Sequence, residues 1–206
     1  GLALLVQISG INTVIDYAPV VLDSTGWKID AALSSTFVIG AVNFLSTLVS
    51  FWTIDRFGRR PLYLAGSAGM AIAMTFATVA LAARHGNGAL LLASMVLFIA
   101  FFASCIGPVF WTVLPEIFPN RDRARCMVVP VVTQWMANAG IILLFPLAFH
   151  RLGRAPTFAF FACMSGLQAF FIFRYLPETK GRALEESEAL WRQNPNPRAP
   201  AKELGV

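Results

Sequence analysis

Six side-chain amides are the groups in this 206-residue sequence best suited to hold a ligand, because they lie in stretches that are otherwise apolar. An amide without a partner in an apolar medium costs about 2–7 kcal/mol, so each needs a hydrogen-bonding partner in another helix or in a ligand. For Gln168 we favour a bond between helices. The remaining five predict a binding surface; they are Gln7, Asn12, Asn43, Gln134 and Asn138.

The spacing of these amides decides which of them can converge. Trp135 and Asn138 are three residues apart and therefore share a helix face. Gln7 and Asn12 are five apart, about 140° around a regular helix, and they converge only if the helix breaks at Gly10. We therefore expect a backbone break at this glycine.

A cavity lined by amides and indoles, with almost no charge, suits a neutral polyhydroxylated ligand. Amides donate to and accept from hydroxyl groups, and the apolar face of a sugar ring stacks on tryptophan. Trp111 shares a helix face with Ala103 and Gly107, and the glycine lets a ligand come close. A charged ligand would be expected to meet a buried Lys or Arg, and the apolar stretches contain neither.

The elements that position these side chains are six stretches long and apolar enough to cross a membrane. Residues 31–54, 61–83, 89–114, 126–149 and 155–173 contain no charged residue or histidine, and 1–22 contains only Asp16. A helix needs about 20 apolar residues to cross the hydrocarbon core. The sequence thus predicts an all-α membrane protein with a six-helix bundle over 1–176, whose spans are about 1–22, 31–54, 61–83, 89–114, 126–149 and 155–176.

The basic residues indicate how the bundle is oriented. Of the 16 Lys and Arg, 12 lie in the second and fourth connections and after residue 173. By the positive-inside rule these connections and the C-terminus are cytoplasmic. The net charge of +5 follows from this topology, and we expect no nucleic-acid partner, because the chain has no soluble basic face. Residues 177–192 predict a cytoplasmic segment with a short amphipathic helix, and 193–206 a disordered tail.

Enzymatic chemistry has no support in the sequence. The three cysteines lie inside apolar stretches or at their edges, without metal-ligand spacing, and no His lies near a nucleophile or a carboxylate. We expect no enzyme, no metal and no cofactor.

Helix interruptions occur at corresponding places when the six spans are taken as two triplets. The first span of each triplet carries one, at Gly10 and at Gly107-Pro108. Discontinuous helices in repeated units are typical of a binding site near the bilayer midplane, while ordinary helix packing is the alternative. The chain opens directly into a span at Gly1, from which we expect that an upstream half is missing.

Asp16 is the one charged residue inside a span. It lies six residues before Leu22, about 9 Å from the outer end of its helix. Intramembrane carboxylates usually mark function. Two interpretations stay open: a functional group such as a proton site, and a carboxylate wetted from the outer vestibule that makes only local hydrogen bonds.

The chain resembles the C-terminal half of the sugar porters of the major facilitator superfamily, over nearly its whole length up to about residue 190. Five motifs in the family's order carry the resemblance: QISGIN at 7–12, DRFGRR at 55–60, GPVFW at 107–111, PEIFPNRDRAR at 115–125 and PETKGR at 177–182.

The resemblance implies roles for particular residues. It places sugar contacts at Gln7, Asn12, Asn43, Trp111 and Asn138. It places Asp16 and Tyr17 at an outer gate. It implies a cytoplasmic salt-bridge network that holds the outward-facing state, formed by Asp55, Arg56, Arg59, Glu116 and Arg123.

Three positions depart from the family pattern. Val6 replaces a glutamine, Ala103 replaces an acidic sugar-binding residue of glucose carriers, and Asp16 replaces the first gate tyrosine. Since specificity in such sites rests on pairing each hydroxyl, a pentose, a polyol or another hydroxylated solute is as open as glucose.

Together these observations predict a carrier for a sugar or polyol in the cell membrane, working by alternating access, facilitative or coupled to a proton. The chain would be the C-terminal half of a twelve-helix fold in the lipid bilayer. A sugar sensor of the same fold and a proton-coupled carrier of a small organic acid are the alternatives.

Overall fold

The computed structural model describes residues 1–26, 29–83, 87–117 and 123–176. The predicted amphipathic segment 177–192 and the predicted tail 193–206 lie outside these residues. The described part is built from helices, one of which contains a π-helical segment, Phe102–Ile106. The α-helices are α1 (Leu2–Ile8), α2 (Ile11–Asp23), α3 (Ile29–Phe57), α4 (Arg59–Ala82), α5 (Gly88–Phe101), α6 (Gly107–Ile117), α7 (Arg123–Arg151) and α8 (Arg154–Tyr175).

Six of the resulting helical units are long and apolar enough to cross a membrane, which confirms the six predicted spans. Each predicted span corresponds to one unit, and the boundaries differ by a few residues at most. The units are Leu2–Asp23, Ser34–Ile54, Arg59–Ala82, Gly88–Pro115, Arg125–Arg151 and Arg154–Tyr175. Since the apolar side chains of these helices face lipid as well as each other, hydropathy alone was enough to locate them.

The best-buried part of the bundle surrounds α4, which packs against α5 and α8. Tyr63, Phe98 and Phe158 are wholly or almost wholly buried there. The approach of α4 to α5 depends on a small residue: a Cβ added at Gly69 would lie 2.6 Å from the ring of Phe101. Close backbone approach at small residues is a main source of helix association in membranes, where no hydrophobic effect drives it.

The first predicted interruption is a true break between α1 and α2. Gly10 has φ +88°, in the left-handed region that favours glycine, and it is the residue that immediately precedes α2. Ser9 closes the end of α1 by donating its hydroxyl to the Val6 carbonyl at 2.7 Å. The ring of Phe161 fills the bend so closely that a Cβ on Gly10 would lie 2.9 Å from it. The break thus depends on both the backbone of Gly10 and the packing of α8.

The prediction of a second helix break was wrong, because the helix does not break at Gly107 and Pro108. It continues from Gly88 to Ile117 through the π-helical segment, in which the Gly107 N–H bonds the carbonyl of Phe102, five residues earlier. Pro108 has no N–H to give to the carbonyl four residues before it. A π-bulge accommodates that missing donor without opening the helix.

Two of the spans are much less buried than the others. Only 17% of the α3 span and 11% of the α7 span are buried, against 33–50% for the other four. Their exposed side chains include Phe44, Trp52, Trp135 and Leu143. These two helices therefore present broad apolar faces that the rest of the described bundle leaves uncovered.

Replacement of Gly10 by alanine should destabilise the protein. The Cβ would meet Phe161 and the backbone would be held at a positive φ, a combination that costs on the order of 1–3 kcal/mol. We expect a lower thermal midpoint in detergent. Gly166→Ala on α8 is the matched control, because an added Cβ there meets nothing within 4 Å. Equal midpoints for the two variants would contradict the account of the break.

Candidate functional site

Three of the predicted binding residues form one hydrogen-bonded amide cluster where α1, α2 and α7 meet. The Nδ2 group of Asn12 donates to Gln7 Oε1 at 2.9 Å and to Asn138 Oδ1 at 2.7 Å. The expected convergence of Gln7 and Asn12 through the break at Gly10 is confirmed. The cluster joins α7 to the two halves of the broken helix.

The cluster keeps hydrogen-bonding capacity that the described residues do not use. Both Nδ2 hydrogens of Asn12 are engaged, so Oδ1 remains as an acceptor. The amino groups of Gln7 and Asn138 remain as donors, since their recorded bonds within the described part of the chain involve only their oxygens. Asn12 and Asn138 are half-buried, and Gln7 is 6% exposed. The site therefore combines a fixed acceptor with donors on either side.

Gln134 is one of the five amides of the predicted binding surface, although the family resemblance implies no sugar contact for it. It precedes Asn138 by one helical turn on the same face of α7. Its side chain is 7% exposed, and among the described residues Oε1 has no hydrogen-bonding partner. The spacing of four residues places it beside Asn138 on α7. A buried acceptor without a partner is unusual enough to need an explanation, and a side-chain turn that brings it to a ligand hydroxyl is one.

The other two predicted binding residues are not joined to this cluster. Asn43 is half-buried on α3, and no hydrogen bond within the described residues links its side chain to the amides. Trp111 is 46% exposed and meets the Phe110 ring edge-on at 5.3 Å. Ala103, predicted to share a face with Trp111, is only 2% exposed, so of these two Trp111 alone presents surface to a ligand.

The two predicted gate residues differ, because Tyr17 is packed against α7 and Asp16 is exposed. Tyr17 donates its hydroxyl to the Ile142 carbonyl at 3.4 Å, and its ring lies 4.9 Å from that of Phe145. Asp16 is exposed and lies one turn after Asn12 on the same stripe of α2, a rise of about 6 Å. Within the described residues its carboxylate makes no hydrogen bond or ion pair, and both interpretations of Asp16 stay predictions.

The predicted cytoplasmic network remains a prediction. The side chains of Asp55, Glu116 and Arg123 lie outside the described part of the structure. Arg56 and Arg59 flank the tight connection between α3 and α4. A nearby contact is described: Arg60 donates to the Phe173 carbonyl at 2.9 Å and lies over its ring at 6.0 Å, which ties the start of α4 to the end of α8.

Residues 1–191 match the protein family described as "Sugar (and other) transporter". The D-xylose-proton symporter of Escherichia coli (strain K12) is 38% identical over 199 residues, which cover 92% of this chain and 40% of that protein. The glucose facilitated diffusion protein of Zymomonas mobilis is 40% identical over 192 residues, 90% of this chain and 40% of that protein. The major myo-inositol transporter of Bacillus subtilis is 35% identical over 195 residues, 93% of this chain and 41% of that protein.

Solved structures give the same likeness in three dimensions. A double tryptophan mutant of XylE matches with a TM-score of 0.86 at 37% identity, over 92% of this chain and 41% of that one. The inward open conformation of the E. coli xylose transporter XylE matches with a TM-score of 0.81 at 37% identity, over 92% and 40%. The chain thus spans about 40% of the length of the curated relatives it matches.

Asn12→Leu should lower the thermal midpoint of the protein in detergent. The change removes two hydrogen bonds and leaves two oxygens without a donor, at a cost of about 1–3 kcal/mol for each buried group left unpaired. Thr75→Val is the control, because the Thr75 hydroxyl bonds only the Ala71 carbonyl of its own helix, at 2.8 Å. If both variants melt together, the amide cluster does not hold α1, α2 and α7 in place.

Proposed function

The chain belongs to the sugar porter family of the major facilitator superfamily, and from that premise we propose that it is the C-terminal half of a carrier for a sugar or polyol, working by alternating access. The observation that carries the substrate class is the amide cluster of Gln7, Asn12 and Asn138 with Gln134 beside it. It offers acceptors and donors without charge, as a ligand with several hydroxyl groups requires.

The chemistry around the cluster favours a neutral ligand. Among the described residues, the spans contain no Lys or Arg within their apolar stretches that could pair with a substrate carboxylate or phosphate. Trp111 and Trp135 are 46% and 60% exposed, and such indoles can stack on the apolar face of a sugar ring. Relatives named for xylose, glucose and myo-inositol support the same class, a pentose, a hexose and a cyclic polyol. Asn43 on α3 and Trp111 on α6 complete the proposed contact set.

The uncovered faces of α3 and α7 support the proposed second half. They are the least buried spans of the bundle, and relatives of this chain are about two and a half times its length, since it covers 40% of them. An upstream six-helix bundle packed on these faces would enclose the amide cluster between the two halves. Rocking of one half against the other would then open the cavity to each side in turn.

The proposed orientation follows from the basic residues, with the C-terminus in the cytoplasm and the bundle in the cell membrane. In this orientation Asp55, Arg56, Arg59, Glu116 and Arg123 fall on the cytoplasmic side. Ion pairs among them that exist in one state and break in the other would favour the outward-facing state. As a carrier, the protein would bind no cofactor and catalyse no reaction.

Uptake of radiolabelled solutes into proteoliposomes tests the function. We expect the natural protein that carries this chain to take up at least one sugar or polyol, and not a small organic acid. Uptake of an acid alone would support the organic-acid alternative, and sugar binding without any uptake would support the sensor. Either result would overturn the proposed function.

Gln134→Leu should weaken the apparent affinity for the sugar by about 3–10-fold, as expected for one lost hydrogen bond of about 0.5–1.5 kcal/mol. The thermal midpoint of the unliganded protein should not fall, because the change removes a buried oxygen that has no partner. Gln168→Leu is the control, a buried amide on α8 away from the cluster that should leave the affinity unchanged. A lower midpoint with unchanged affinity would make Gln134 a structural residue.

Asp16 is the candidate for coupling to a proton. It is an exposed carboxylate one helical turn from the cluster, and a relative is named a proton symporter. We expect Asp16→Asn to abolish uphill uptake and to flatten its pH dependence, while downhill exchange of the sugar continues. Asp23→Asn, at the outer end of the same helix and also exposed, should change neither. Unchanged uphill uptake in Asp16→Asn would exclude this role.

A further inference from the structure

Helix α8 contacts both ends of α2, the half-helix that carries Asn12. At the first end, the ring of Phe161 fills the bend at Gly10, where an added Cβ would lie 2.9 Å from it. At the far end, Nη1 of Arg154 donates to the carbonyl of Ser24, the residue that follows α2. The earlier of these α8 residues meets the later end of α2, so the two helices run antiparallel.

The two α8 residues are spaced to act on one neighbour. Phe161 follows Arg154 by seven residues, about two helical turns, so both lie on one face of α8, about 10 Å apart along its axis. Phe161 is 3% exposed, whereas Arg154 is exposed. One contact with α2 is therefore fixed inside the bundle, and the other lies at its surface.

The end of α2 offers the Ser24 carbonyl to another helix. The last carbonyls of a helix have no partner within it. Those of residues 20–23 accept from groups of Ser24, Thr25 and Gly26, at 2.6–3.2 Å. The Ser24 carbonyl comes next, and its donor in the described part of the chain is Arg154. A guanidinium also suits this position because the helix dipole is negative at the C-terminus.

Between its two ends α2 is attached to α7. Asn12 bonds Asn138 at 2.7 Å, and Tyr17 bonds the Ile142 carbonyl at 3.4 Å, which is long for a hydroxyl donor. Asn12 is the second residue of α2 and lies next to the bend. The packing of Phe161 in the bend therefore decides the direction in which Asn12 points. A tilt of α2 about the bend would displace the far end most.

We propose that Phe161 and Arg154 are positioning residues for the sugar site, because α8 uses them to hold the half-helix of Asn12 at both ends. Phe161 fixes the angle between α1 and α2, and with it the meeting of Asn12 and Asn138. Arg154 keeps the far end of α2 from tilting about the bend. The proposal rests on the proposed function, since it gives a role in sugar binding to two residues outside the amide cluster.

Sugar binding by the natural protein that carries this chain tests the role of Phe161. The probe is D-xylose, D-glucose or myo-inositol, whichever the protein takes up. We expect Phe161→Leu to weaken the affinity by about 3–10-fold, as for one impaired hydrogen bond. Phe170→Leu is the matched control, because this ring lies on the same helix and is 62% exposed, so the affinity should not change. A lower thermal midpoint of Phe161→Leu with unchanged affinity would overturn the positioning role of the ring.

Coupling between Phe161 and Asn12 separates positioning from a general loosening of the bundle. If Phe161 acts through Asn12, Phe161→Leu should cost little further affinity in a protein that already carries Asn12→Leu. Residues that act independently have additive effects. A double variant that loses the product of the two separate fold-changes would contradict the proposal.

Distances between nitroxide spin labels test the role of Arg154 and need no sugar. The labels replace Val20 near the far end of α2 and Phe160 on α8, both exposed, in a protein without its natural cysteines. We expect Arg154→Gln to broaden the distance distribution and to add longer distances. Arg154→Lys, which keeps a charged donor, should broaden it less. A second pair, at Leu4 on α1 and Phe160, should not change, because α1 lies on the other side of the bend.

Arg151→Gln is the matched control for the loss of charge. Arg151 is the last residue of α7, and its side chain makes no hydrogen bond or ion pair within the described residues. An unchanged Val20–Phe160 distribution in Arg154→Gln would overturn the role of Arg154, and so would an equal change in the Leu4–Phe160 pair. These distances are measured whether or not the protein takes up a sugar, so failure of this proposal is distinguishable from failure of the proposed function.

Discussion

A polar group inside the hydrocarbon must find its partner within the protein, and this constraint governs the bundle at every level. It forces the backbone into helices, and it makes each departure from a regular helix depend on a specific compensation. At the first departure, Ser9 donates its hydroxyl to the Val6 carbonyl at the buried end of α1. At the second, a π-helical segment accommodates Pro108, which has no N–H to donate. The same constraint turns the amides of Gln7, Asn12 and Asn138 into a tie between helices.

The break at Gly10 converts sequence spacing into a site. On an unbroken helix Gln7 and Asn12 would point about 140° apart. The positive φ of the glycine turns them toward each other, and Phe161 holds the bend from the side of α8. Phe161 in turn stacks on Phe145, which contacts the ring of Tyr17. A single aromatic cluster thus supports both the break and the middle of α2, where Tyr17 lies.

The sequence predicted the features that depend on composition and on local spacing. Six charge-free stretches gave the spans, and the five-residue spacing around Gly10 gave the convergence of Gln7 and Asn12. The sequence could not distinguish a break from a π-bulge at Gly107 and Pro108. Either of them accommodates a proline that has no N–H to donate, and the choice depends on packing against neighbouring helices. Nor could it show which amide keeps an unpaired oxygen, since that depends on side-chain directions that only the assembled bundle fixes.

The engagement of both amino hydrogens of Asn12 gives the site a directional polarity. At this position the protein can only accept, while the neighbouring amino groups of Gln7 and Asn138 can only donate. A ligand hydroxyl beside Asn12 must donate a hydrogen bond to its oxygen, which a ring oxygen, a methyl ether or a fluorine cannot do. Discrimination between sugars would therefore depend first on the order of their donors and acceptors and only then on size or shape. A methylated or fluorinated analogue would lose most affinity when the change is at the carbon that faces Asn12.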